Sequence, residues 1–236
     1  DAIETGLRRV KALQQGEEGT LIVTTGGTTV RHFMKTAIVR FRKRHPGVNL
    51  RFLPASSTKR CFEILRLSQA ELGFVTTGEP VRGINERTVA RQQLFLLVAK
   101  NDDLAKLRRI HVQELENIRY LGLSGHTTHR NAIEQAALDR GVELKPEIVF
   151  DDLDTAKVFV ELGLGHAIVP AVHAHNFVKG GAVAAVPIED LPPISIGWAF
   201  RHWQHLSPTA RSFVEIVDRE LRKLRSVRGF QLVREG

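Results

Sequence analysis

Apolar positions alternate along this chain between a period of about two and a period of about four, and each change of period marks an element. Ile3, Leu7, Val10 and Leu13 recur at helical spacing, and Gly16 and Gly19 stop them, so residues 1–15 read as the end of a helix. Leu21-Ile-Val23 is a short strand that runs through Thr24-Thr-Gly-Gly-Thr-Thr29 into a helix. Val30, Phe33, Met34, Ala37, Ile38 and Phe41 form the apolar stripe of that helix, and His45-Pro46-Gly47 breaks it. Val48 to Leu53 is the next strand, Ser56-Ser-Thr58 opens a helix around Cys61, Ile64 and Leu65, and Leu72 to Val75 is a third strand. The order βαβαβ predicts a parallel sheet with helices on its faces.

A second α/β series follows. The dense run Leu94 to Ala99 reads as a buried strand, and Tyr120 to Leu123, Glu147 to Phe150, His166 to Val169 and Ser195 to Phe200 read as further strands. Ser124-Gly-His-Thr-Thr128 leads into a helix with Ala132, Ile133, Ala136 and Ala137 inward. Asp152 or Asp154 caps the next helix and Gly163 ends it. Ser207-Pro208 starts the last helix, with Phe213, Val217, Leu221 and Leu224 inward. The tail from Arg228 has no evident place. Two series without a Pro/Gly/Ser-rich linker predict two lobes connected through strands.

Composition narrows the class. The 236 residues are 42% hydrophobic and 25% charged, which fits a globular protein. No stretch approaches the roughly 18 apolar residues of a membrane span. The only cysteine, Cys61, excludes an intrachain disulfide and thiolate-rich zinc sites, and its place on an apolar stripe makes it a core residue. The chain starts at Asp1 with Met34 as its only methionine, which reads as a fragment or processed product. The net charge is +8, and its excess is local. Arg31, Lys35, Arg40, Arg42, Lys43, Arg44, Arg51, Lys59 and Arg60 fall between Gly19 and Phe62 with no acid among them. That segment is either an anion-facing surface or a solvated basic helix face. Aromatic residues, 6% of the chain, do not interleave with the bases as a single-strand binder requires.

The chemistry on offer is a recurring one, hydroxyls and glycines where a strand turns into a helix. Thr24 to Thr29, Ser56 to Thr58, Thr76-Thr-Gly78 and Ser124 to Thr128 all show it. Helix N-termini carry unpaired N–H groups and attract anions, glycine lets a ligand approach, and hydroxyls donate to ligand oxygens. Each turn alone is also an ordinary helix cap; together they suggest a ligand crevice. Phosphate-loop and dinucleotide motifs fail: Gly26-Gly27 is not followed by Gly-Lys-Ser/Thr, and Gly163-Leu-Gly165 precedes a strand. The histidine pairs 126/129, 173/175 and 202/205 lack a carboxylate at ligand spacing, so no metal is expected. Ser124, His126 and Asp151 can be written as a nucleophilic set, but no Gly-x-Ser-x-Gly elbow supports it, and no enzyme is expected.

Four stretches together resemble the effector-binding domain of LysR-type transcriptional regulators. They are Gly19 to Val23 with its polar turn, Phe41-Arg-Lys-Arg-His-Pro-Gly-Val-Asn-Leu50, Ala70-Glu-Leu-Gly-Phe74, and Val160-Glu-Leu-Gly-Leu-Gly-His-Ala-Ile-Val-Pro170. In the third, Gly73 stands where the family often has aspartate. The Thr24 to Thr29 turn and Ile148 to Phe150 are similar to the subgroup of the cysteine-biosynthesis regulator, which binds sulfate-like anions.

The resemblance implies two α/β lobes of the type 2 periplasmic-binding-protein kind joined by two crossing strands. Residues 1–18 would end a linker helix, 19–95 and 198–236 would form lobe I, and 96–197 lobe II. A small effector, expected to be an anion, would lie between the lobes. Gly27, Thr28, Thr29, Ser56, Thr76 and Thr77 would contact it from lobe I, and Ser124, Thr127, Thr128 and Asp151 from lobe II. Arg31, His129 and Arg130 lie near these turns and favour an anion. No cofactor is implied. The resemblance also implies a cytoplasmic homodimer or homotetramer, with DNA bound through a winged helix-turn-helix upstream of Asp1 and without a membrane partner. A transport-type solute-binding protein of the same fold is the alternative.

Overall fold

The computed structural model describes residues 18–78, 81–125 and 127–233, together with Ile3 and Gly6. The expected helix over residues 1–15 therefore lies almost wholly outside the described residues, as does His126. The chain divides into two compact units: residues up to Val89 with Gly197–Lys223, and Ala90–Ile196 with the segment from Leu224.

Unit 1 begins with β1 (Gly19–Thr25), α1 (Lys35–Arg44), β2 (Val48–Pro54), α2 (Thr58–Arg66) and β3 (Leu72–Thr77). β1 is parallel to both β2 and β3, so the βαβαβ reading holds, with β1 between its neighbours. The sheet continues through β4 (Asn85–Gln92), β10 (Ile194–Phe200) and β11 (Phe230–Leu232) in the order β11-β4-β10-β3-β1-β2. α6 (Pro208–Leu221) lies against α1, where Phe213 meets Phe41 edge-on with centroids 5.1 Å apart. Trp198, Phe41, Phe213 and Leu21 are almost fully buried there, each removing a large apolar surface from water. The Trp198 indole donates to Asp218 at 2.8 Å, and Arg87 pairs with the same carboxylate at 2.5 Å, so this half-buried acid is engaged by both.

Unit 2 is built on β5 (Leu94–Ala99), which is buried along its whole length. Its other strands are β6 (Tyr120–Leu123), β7 (Ile148–Phe150), β8 (His166–Pro170) and β9 (Val183–Pro187). Its helices are α3 (Thr128–Leu138), α4 (Leu153–Glu161) and α5 (Ala171–Phe177). The sheet order is β7-β6-β8-β5-β9, with β6 parallel to β7 and β8, and β5 antiparallel to β8 and β9.

Several details depart from the sequence reading. β4, α5 and β9 carry too little apolar periodicity to be seen. Ala132 is exposed, because Ile133, Ala136 and Ala137 alone make the buried side of α3. α6 ends at Leu221, and Leu224, only half-buried, lies in a tighter turn beyond it. The tail from Leu224 groups with unit 2 and not with α6, because β11 (Phe230–Leu232) pairs with Ala90, Arg91 and Gln92 of β4. Among the described residues no helix is long and apolar enough to cross a membrane.

Candidate functional site

In unit 1 the parallel strands β2, β1 and β3 end side by side, and their C-terminal ends bring together most of the hydroxyls singled out in the sequence. Ala55 N–H donates to the Thr25 carbonyl at 3.2 Å, and the Thr58 hydroxyl reaches the Thr76 carbonyl at 3.4 Å. Thr24 and Thr25 are buried and turned to structural use: Thr24 faces the Cys61 thiol at 3.7 Å, and Thr25 donates to the Phe74 carbonyl at 2.6 Å. The chain then makes one helical turn, Gly27–Thr29, and a wide π-helical turn, Val30–Met34, before α1. π-turns of this kind are often found at functional sites. Gly26 holds the N-cap position and has no side chain to cap with, so the first N–H groups of the turn lack a side-chain acceptor. Thr28, Thr29 and Thr76 are half-buried, and Gly27 and Ser56 are exposed. Thr77 is buried and shares a 2.8 Å hydrogen bond with Thr88, so its hydroxyl already has a protein partner.

The helix after β2 is different. Ser57, not Ser56, caps α2 by accepting the Arg60 N–H at 3.2 Å, which leaves the Ser56 side chain outside the cap. Glu86 is a neighbour that the sequence did not suggest. Its carboxylate accepts the Gly78 N–H at 3.3 Å, and burial raises its pKa above the ordinary value against the opposing effect of that bond. No local spacing marks it, because the contact spans the loop from β3 to β4.

Unit 2 presents its own strand-to-helix turn. Ser124 donates its hydroxyl to Asp151 at 2.6 Å and its N–H to the Phe150 carbonyl at 2.7 Å, tying the ends of β6 and β7 together. Gly125 turns the chain at φ +66°, a conformation that suits glycine. Thr127 caps α3 by accepting the Arg130 N–H at 3.1 Å. Arg130 reaches back to the Leu123 carbonyl at 2.9 Å and the Gly125 carbonyl at 3.5 Å while pairing with Glu134 at 2.6 Å. Its guanidinium is thus a brace for the turn rather than a cation on offer to a ligand. His129 supplies no charge either. Burial pushes its pKa down to about 4, against a bond to the Ile168 backbone that raises it, so the ring is neutral at pH 7. Of the three cations that favoured an anion from sequence, two are therefore unavailable, and Arg31 alone is exposed.

The same geometry bears on catalysis and metals. Ser124 donates its hydroxyl to the Asp151 carboxylate, and His126, the base of the nucleophilic set written from the sequence, lies outside the described residues. Cys61 is buried, and burial raises its thiol to about 11 against the Thr24 bond, so it is not a thiolate at neutral pH. Among the described residues no three histidine, cysteine, aspartate or glutamate side chains are gathered as a metal would need.

Residues 14–222 match the family model described as the LysR substrate binding domain. A probable RuBisCO transcriptional regulator of Cyanidioschyzon merolae is 24% identical over 191 residues, covering 79% of this chain and 63% of the relative. Its counterpart in Porphyra purpurea is 26% identical over 194 residues, covering 80% and 61%. The chain thus spans less than two thirds of the length of these relatives. Among solved structures, the effector binding domain of QuiR in complex with shikimate aligns with a TM-score of 0.75 at 20% identity, covering 87% of this chain and 98% of that one. The BenM effector binding domain with benzoate gives 0.74 at 19%, covering 87% and 93%. Full-length CbnR complexed with its target DNA gives 0.72 at 21%, covering 93% and 74%. At these identities the structures speak to fold, and that fold is the two-lobed, periplasmic-binding-protein-like one. The family match covers most of the chain, and the chain belongs to the LysR substrate-binding domain family.

Proposed function

We propose that this chain is the sensing and oligomerising part of a LysR-type transcription regulator, and that it binds a small effector with a carboxylate or similar oxyanion group. The observation that carries the reading is the uncapped turn at Gly26–Thr29. The Gly27 and Thr28 N–H groups there have no side-chain cap, the Thr29 N–H being held by the Gly26 carbonyl at 3.1 Å, and the turn lies in a segment with nine bases and no acid; Thr28, Thr29, Ser56 and Thr76 are the proposed lobe I contacts. Shikimate and benzoate, held by the two similar effector domains, are both carboxylates. Ser124, Thr127, Thr128 and Asp151 of unit 2 remain proposed contacts, but with Thr127 serving as a cap and Ser124 bonded to Asp151 they suit a neutral hydroxyl-bearing part of the ligand better than its charge.

The effector would act by binding one conformation of the domain more tightly than another, which is the only way a ligand shifts an equilibrium. DNA would be contacted through a separate domain of the full protein, a reading that the DNA-bound full-length CbnR neighbour supports, and the full protein would be a cytoplasmic homodimer or homotetramer. A catalytic role and a resident cofactor are not part of the reading. Nor is solute transport, because the curated relatives are transcriptional regulators.

A thermal-shift screen tests the proposal. The panel holds sulfate, thiosulfate, benzoate, shikimate and small dicarboxylates in a buffer free of phosphate and sulfate. A ligand at about one hundred times its dissociation constant adds about 2.7 kcal/mol, or roughly 5–10 °C for a chain of this size. A selective shift that Thr28→Ala abolishes supports the reading. A flat response to every anion, or a shift indifferent to Thr28→Ala, contradicts it.

A further inference from the structure

The chain continues beyond the family match, which ends at residue 222, and the structure gives this tail a definite place. After α6 the chain passes through a tight turn, Arg222–Ser226, and then forms β11. Val227 and Phe230 are buried, and Phe230, Gln231 and Leu232 pair antiparallel with Gln92, Arg91 and Ala90. α6 belongs to unit 1 and the segment from Leu224 to unit 2, so the chain enters unit 2 a second time here, after its first entry along β4.

The tail grips one junction. Gln93 joins β4 to β5, and its N–H donates to the Gly229 carbonyl at 2.8 Å. The Gln93 carbonyl accepts the Ala171 N–H at 3.0 Å, at the start of α5, and its side chain reaches the Ile188 carbonyl at 3.4 Å, just past β9. Gln92, almost fully buried, accepts the Val172 N–H at 3.1 Å. The fit is close: Gly229 sits at φ +80°, and a Cβ there would lie 2.9 Å from Gln93 Cβ and 3.0 Å from the Phe95 ring. Both the conformation and the space require glycine.

We propose that residues 224–232 form a clasp that sets the rigidity of the β4–β5 junction, where β4 passes into unit 2. A three-residue strand at a sheet edge has few hydrogen bonds to lose, so it opens more readily than the core strands it touches. Docking of this segment then governs local order at Gln93 and at the first turn of α5, separately from the stability of unit 1. The clasp is a conformational control that does not depend on the identity of the effector.

Residue-resolved amide exchange, without added ligand, tests it on the full chain and on the Gly229→Val and Phe230→Ala variants. The clasp predicts that exchange at Gln93, Ala171 and Val172 accelerates by about tenfold or more, while β1 amides of unit 1 change by less than about twofold. Phe230→Ala gives the same pattern at smaller amplitude in a chain whose backbone at Gly229 is untouched. Unchanged exchange at Gln93 and Ala171 in both variants, or equal acceleration in both units, overturns the proposal.

Discussion

Two turns of this molecule look alike as sequence and differ as chemistry. Thr24 to Thr29 and Ser124 to Thr128 both place hydroxyls and glycine between a strand and a helix. In the second, the donors and acceptors are largely consumed: Thr127 caps the helix, Ser124 is bonded to Asp151, and Arg130 spans two carbonyls and Glu134. In the first, glycine occupies the cap position and the two hydroxyls with firm partners, Thr24 and Thr25, are buried beneath the turn. A motif of hydroxyls at a helix start therefore predicts either a self-contained cap or an open anion-facing end. What separates them is the residue at the N-cap and whether an acid stands within reach.

That contrast can be broken from either side, and the largest effect belongs to the second turn. His129 follows it directly and is held neutral by burial, with its pKa near 4 against the usual 6.5. The unfolded chain therefore binds the proton more readily, and stability is lost as pH falls from about 6.5 toward about 4. The loss approaches about 3 kcal/mol at the acid end. Urea unfolding at a series of pH values should show the unaltered chain losing stability faster than His129→Gln across that window, and parallel curves would refute the assignment. Next comes the brace. Arg130→Ala leaves two carbonyls and the Glu134 carboxylate without their partner and should cost about 2 kcal/mol, read as a drop in the urea midpoint. Arg130→Lys should restore only part of it, because an ammonium cannot span the same acceptors.

Smaller changes sharpen the difference between the two helix starts. Thr127→Ala removes a cap and should cost about 1 kcal/mol. At the corresponding place in unit 1, Gly26→Asp supplies a cap where none exists. It should raise stability by only a few tenths of a kcal/mol, yet place a carboxylate where the effector's anionic group is proposed to sit. Thermal unfolding with and without ligand separates these outcomes: a slightly higher midpoint alone, and a smaller ligand-induced shift.

Much of this was visible in the sequence, and the parts that were not share a cause. The β1, β2 and β3 series was legible because Leu21, Val23, Val48, Leu72 and Phe74 alternate or cluster against polar turns. β4 was not, because Glu86, Arg87, Thr88 and Arg91 give it little apolar content, and it reads as a strand only once its neighbours are known. β9 and α5 are short and alanine-rich, and their burial comes from tertiary packing rather than from any periodic stripe. At the candidate site, the positions of the hydroxyls were legible and their engagement was not. That Thr77 meets Thr88, that Ser57 rather than Ser56 is the cap, and that Arg130 turns back on its own turn are facts of three-dimensional reach. They decide which groups remain for a ligand.

The most direct measurement is an amide chemical-shift titration with the panel member that raises the thermal midpoint most. The Gly27 and Thr28 N–H resonances should move first and furthest, in saturable fashion, and Gly26→Asp should suppress the movement. If Gly27 and Thr28 stay still while another set of amides saturates, the open turn of unit 1 is not the effector's anchor, and the contrast between the two turns has no functional meaning.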